Sequence, residues 1–154
     1  MFVLLLQACL PNETPSSDFS FTGVTEEMVE VALVGWEDFT PYTDTIEASS
    51  ASSDTWFEVL LNEDAALWVD DQGFAEENIS IVRPVYNAQD SDEMTALTIM
   101  FKVPGSSPET DDWQWAKADP EGSVLEYGAE TTASCSSCHT VTRDTNHWLL
   151  AVNL

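Results

Sequence analysis

Apolar and aromatic residues in this chain fall in short runs divided by Asn, Asp, Gly and Pro clusters, the spacing of a strand-rich domain. The runs at 56–61, 79–86, 96–103, 113–118 and 124–127 predict strands, and Pro84 inside the second marks a sheet edge or a bulge. In the third run Leu97, Ile99, Phe101 and Val103 share one face, and Thr98, Met100 and Lys102 share the other. Two segments follow the helical period instead. Met28, Val31 and Ala32 behind Glu26 and Glu27 predict a short amphipathic helix over 25–34 starting near Thr25. Asn62 ahead of Glu63 and Asp64 is an N-cap with acids in the first turn, predicting a helix over 63–70. The connections after Val103 and Ala118 are too short for crossover helices, so the pattern implies an α+β fold, a mainly antiparallel sheet with flanking helices.

The ends of the chain read differently. Phe2-Val3-Leu4-Leu5-Leu6 is followed by Gln7-Ala8-Cys9, a small residue directly before a cysteine, which resembles a bacterial lipoprotein cleavage site. The run is short and no Lys or Arg precedes Arg83, so residues 1–9 read as a clipped or short lipoprotein-like signal segment with a lipid anchor at Cys9. Residues 10–24 begin with Pro, Ser and acid and read as a flexible tether, leaving 25–154 as the folded domain; 49–54 is a polar loop within it. No stretch of about 20 apolar residues offers a membrane-spanning helix.

Charge narrows the partners. Among 154 residues, 28 Asp and Glu face 4 Lys and Arg, a formal net charge of -24, with 44% hydrophobic content. Such a surface repels phosphate backbones and anionic headgroups, which argues against nucleic acid and against any membrane contact beyond a lipid anchor. A basic redox partner protein fits it, and so does simple solubility in salt.

The chemistry concentrates at Cys135-Ser136-Ser137-Cys138-His139, the C-x-x-C-H attachment signature of c-type haem. Two thiols one helical turn apart add to the two vinyl groups of one porphyrin edge, and the adjacent histidine then reaches the iron as axial ligand. The same residues admit other readings: a zinc site completed by His147, a thioredoxin-like redox pair, or a plain disulfide. The cysteine arithmetic favours one covalently attached haem c, because lipidation at Cys9 and two thioethers leave no spare thiol in an oxidising compartment. Fifteen residues follow His139 and none is methionine, which excludes the small-cytochrome arrangement with a downstream methionine ligand. His147 lies two helical turns beyond the proximal ligand and reads as a surface or packing histidine.

A late C-x-x-C-H behind a β-rich region resembles the cytochrome P-460 family, which includes the cytochromes c′-beta. The likeness spans 56–150: the strand 56–61 leading into a helix at Asn62-Glu63, the strand Ile79-Ser80-Ile81-Val82-Arg83, the apolar strand Thr98-Ile99-Met100-Phe101-Lys102, Asp112-Trp113-Gln114-Trp115, the hairpin turn Asp119-Pro120-Glu121-Gly122 and the haem motif. The resemblance implies an antiparallel sheet with flanking helices and a C-terminal haem-attachment segment, with His139 on the iron and an open or apolar distal face. Family members oxidise hydroxylamine or bind nitric oxide. The oxidising members also bind their haem to a lysine, whose position falls on Arg83 here, and arginine is a poor nucleophile by comparison. The expectation is therefore an exported, periplasmic haem protein that binds nitric oxide or transfers electrons, with hydroxylamine oxidation as the alternative. Phe101 is a candidate cap over the iron. Glu126 and Glu130 are candidates for relaying protons from a bound substrate, although among 28 acids chance and solubility explain them better.

Overall fold

A computed structural model describes residues 23–43, 45–49, 55–69 and 78–142. Its elements run α1 (Glu26–Leu33), β1 (Thr40–Pro41), β2 (Glu47–Ala48), β3 (Trp56–Phe57), β4 (Leu60–Leu61), α2 (Glu63–Val69), β5 (Ser80–Tyr86), β6 (Met94–Lys102), β7 (Trp113–Ala118), β8 (Val124–Glu126) and α3 (Ala129–His139). The architecture is α+β, with one open antiparallel sheet of eight strands and three α-helices among the described residues. The sheet order is β1-β4-β5-β6-β7-β8, and β3 joins β2 to the far end of β5. The expected leader at 1–9 with Cys9, the tether as far as residue 22, and His147 lie outside the described residues. Val24, assigned above to the tether, is buried in the core.

Long β5, β6 and β7 form the centre because each is bounded by turn formers and pairs along its length, with Arg83 opposite Thr98 and Thr98 opposite Lys117. The run at 56–61 is not one strand. β3 pairs with Val85 and Tyr86, β4 with Ile81 and Val82, and Glu58 and Val59 between them leave the ladder. Val59 instead accepts from the Tyr42 amide at 2.8 Å and donates its own N–H to Thr43 Oγ1 at 3.1 Å. Pro84 does mark an irregularity, a register shift between Val85 and Tyr86 of its own strand, but not a sheet edge. The proline is interior to the sheet and fully buried, and it sits where the neighbouring strand is interrupted, so its missing N–H breaks no ladder bond.

Each face of the sheet has its own helix. α1, started by the Thr25 hydroxyl accepting from the Met28 amide, packs Val29 and Leu33 over Val82, Leu97, Ile99, Phe101, Ala116 and Ala118. Ser80 Oγ ties it to β5 by donating to the Ala32 carbonyl at 2.6 Å. On the other face α2 places Ala65 and Trp68 against Leu61, Ile81, Met100 and Trp113, with the Trp68 and Trp113 rings edge to face at 5.4 Å. Asn62 starts α2 as expected, its Oδ1 accepting from the Ala65 amide at 2.8 Å and also from the Ser80 amide at 3.2 Å. One side chain thus caps a helix and fixes it to the central strand.

Candidate functional site

α3 carries the chemistry, and the sheet edge decides where it lies. β8 pairs with β7 only at Lys117 and Ala118, so the edge of β7 from Trp113 to Ala116 has no strand beside it. α3 covers that edge. Thr132 Oγ1 accepts from the Trp115 amide at 3.4 Å and donates to Gln114 Oε1 at 2.9 Å, while Gln114 Nε2 donates to Ser106 Oγ at 2.7 Å. Gln114 and Thr132 are fully buried, so this chain of bonds satisfies polar groups that no water reaches. The helix begins after Gly128, whose φ of 90° and ψ of -166° belong to a region open essentially to glycine alone.

From Thr132 the helical period sets the rest. Cys135, three residues on, packs against the cluster containing Phe57, Met100 and Trp115. His139, one further turn along, stands with its ring 5.2 Å from the Trp115 ring at an interplanar angle of 59°. Cys138 is one turn from Cys135, both are half-buried, and the Ser137 hydroxyl donates to Cys138 Sγ at 4.0 Å. The Thr140 and Thr142 hydroxyls close the helix on the carbonyls of Ser136 and His139 at 2.6 and 2.9 Å.

The sheet face beside α3 is a grid of rows that its helix covers unevenly. The row Leu61, Ile81, Met100 and Trp115 is buried. The next row, Arg83, Thr98 and Lys117, is only half-buried, as is Ala96 beyond it. On the opposite face the corresponding residues Val82, Pro84, Leu97, Ile99, Ala116 and Ala118 are all buried. The half-open rows are made of small side chains at their centre, Ala96 and Thr98, with a cation at each side.

Burial pushes the Cys135 thiol up to about 11, with Glu126 and Cys138 adding to the shift and Lys117 and Arg83 opposing it. The thiol is therefore protonated at neutral pH. Burial likewise holds the Arg83 guanidinium below its ordinary value, partly offset by Cys135. Its Cζ lies 4.1 Å over the Phe57 ring. Lys117 Nζ is engaged by Glu126 Oε2 at 2.7 Å.

Of the candidates named from sequence, Cys135, Cys138, His139 and Arg83 come to one face. Phe101 does not. It points to the α1 side, where it borders a cleft of about 860 Å³ shared with Met28, Val31 and Val103, so it has no route to the His139 side. The alternation that was read correctly along β6 did not say which face α3 would take. Glu126 comes close enough to act on Cys135 but is held by Lys117, and Glu130 is exposed in the first turn of α3, about 13 Å of helix from His139. Phe57, which does line the motif's face, was missed as a site residue, and the pairing of Met100 with Trp115 brings Trp115 to the same face.

The competing uses of the motif fare unequally. The cysteine pair sits late in α3, with no βαβ unit before it among the described residues, which is not the thioredoxin-like placement. Among the described residues no three His, Cys, Asp or Glu side chains converge to hold a metal ion. No helix among them is long and apolar enough to cross a membrane. No protein-family model matches the chain, and no curated protein matches it.

Proposed function

We propose that the chain is an exported mono-haem c-type protein that binds a small nitrogen-oxide ligand such as nitric oxide, or passes single electrons. The observation that carries this reading is the placement of Cys135 and Cys138 one turn apart on α3, with His139 beside Trp115, next to a half-open sheet face. The donor set fits the group: each S–H adds across a vinyl double bond, sulfur to one carbon and hydrogen to the other, with no net oxidation. Bound haem would supply an iron that takes a diatomic ligand or one electron. The chain's part is to fix the ring by two thioethers, to offer the His139 imidazole as axial ligand, and to keep water from one side with Trp115, Met100 and Phe57. Unlike a zinc site, this requires one nitrogen ligand from the chain and no converging cage of side chains.

Arg83 is the observation that favours ligand binding over hydroxylamine oxidation. It occupies the position where the resemblance to the cytochrome P-460 family expects a lysine bonded to the ring, and no described lysine replaces it: Lys102 lies with its Nζ 5.3 Å from the Trp113 ring and Lys117 is paired. Export to the periplasm belongs to the same proposal, since c-type haem is attached there.

The test is chemical. The exported protein should stay red through acid denaturation and organic extraction, bind nitric oxide with a spectral shift, and turn hydroxylamine over poorly with an artificial acceptor. Colour that passes into the organic phase would overturn the haem c reading. Robust hydroxylamine turnover would replace the binding role with the enzymatic one.

A further inference from the structure

With 28 acids against 4 cations, a cation lacking a carboxylate partner is the anomaly of this chain. Arg83 is such a cation. It makes no ion pair among the described residues, and its buried Nε has no hydrogen-bond partner there. Glu58, which leaves the ladder between β3 and β4, is engaged by the Tyr86 hydroxyl at 2.7 Å. Phe57 holds the guanidinium from one side, while Thr98, next to it on β6, is too small to fill the space toward Lys117 on β7. Cys135 on α3 is the ionisable group that acts on Arg83, and Lys117, held by Glu126 of β8, stands two strands away in the same row.

We propose that Arg83 seats a carboxylate of the bound haem, its planar fork donating to the two oxygens across the half-open rows of the sheet. The inference rests on the haem c reading. A haem bonded through its vinyl edge to α3 carries its carboxylates on the far edge of the ring. Arg83 lies two strand spacings from β7, about 10 Å, on the same face. Guanidinium and carboxylate match in geometry, and the pair would relieve a buried charge that has no carboxylate partner among the described residues. The same fork suits any oxyanion, so a small external anion is the competing occupant.

The experiment uses the full-length haem-loaded protein and Arg83→Gln, and reads the reduction potential against pH between about pH 5 and 8. The parent should give a flat profile, because a carboxylate paired with arginine stays ionised throughout. Arg83→Gln should give a sloped one, because the orphaned carboxylate now titrates in this range and responds to the charge on iron. An unchanged flat profile in Arg83→Gln overturns the inference and leaves the haem reading standing. A saturable spectral shift of the parent with nitrite or formate, lost in Arg83→Gln without any new slope, assigns the seat to an external oxyanion and also overturns it. If Arg83→Gln does not accumulate, Arg83→Lys keeps the charge and should keep the flat profile; a slope there contradicts the pairing. A chain that carries no covalent haem overturns this inference and the function together.

Discussion

Cys135 is the residue whose environment most exceeds its sequence. The motif names it as a thiol for haem, but only the packing of α3 on Phe57 and Trp115 buries it and raises it to about 11. A thiol raised in the folded state stabilises that state fully below its unfolded value near 9, and the contribution is lost as pH climbs from about 9 to 11. Haem-free protein should therefore lose stability to urea over that window more steeply than its Cys135→Ala variant. Tyr86, pushed up to about 12 by burial and Glu58, adds the same background to both. Equal slopes would contradict the burial of Cys135. The haem-loaded chain should lack this loss, since a thioether does not ionise. His139→Ala should change the haem spectrum strongly. Histidine and cysteines were legible as a motif and Arg83 through the family resemblance; Phe57 was not legible as their companion, because strand register, not spacing, brings it to that face.

Among the elements, α3 depends on Thr132, a position that carries no haem chemistry. Thr132→Val leaves the Trp115 amide and Gln114 Oε1 without their buried partner, a cost of about 1–3 kcal/mol. It should also lower the yield of haem attachment, because the helix is no longer fixed to the β7 edge. Leu33→Ala on α1 should cost about 2–5 kcal/mol yet leave attachment in the folded fraction unchanged, since α1 covers the opposite face. Thermal melts together with haem content per folded chain separate the two, and equal loss of haem in both would show that α3 has no special dependence on Thr132. Most strands and both earlier helices were readable from runs and caps: β7 coincides with its expected bounds, and the Asn62 cap is where the sequence put it. The break at Glu58 and Val59 was not, because what draws them from the ladder is the distant segment Tyr42-Thr43. Pro84 signalled the register shift at Val85 and Tyr86 beside it, but not the break in the neighbouring strand.

At the scale of the whole molecule, negative charge faces nearly every direction of approach, and charge of one sign acts mainly on the rate of encounter. Electron transfer with a cationic cytochrome should slow steeply as salt shortens the Debye length from about 10 Å at 0.1 M to about 3 Å at 1 M. A salt-independent rate would assign the acidity to solubility alone. That expectation, like the role of Arg83, stands on covalent haem at one pair of cysteines. The most direct measurement is the intact mass of the exported chain beside that of a Cys135→Ser, Cys138→Ser double variant. The account predicts polypeptide plus one haem for the parent and polypeptide alone for the variant. A parent that flies at the bare polypeptide mass while holding zinc, or nothing at all, would contradict it.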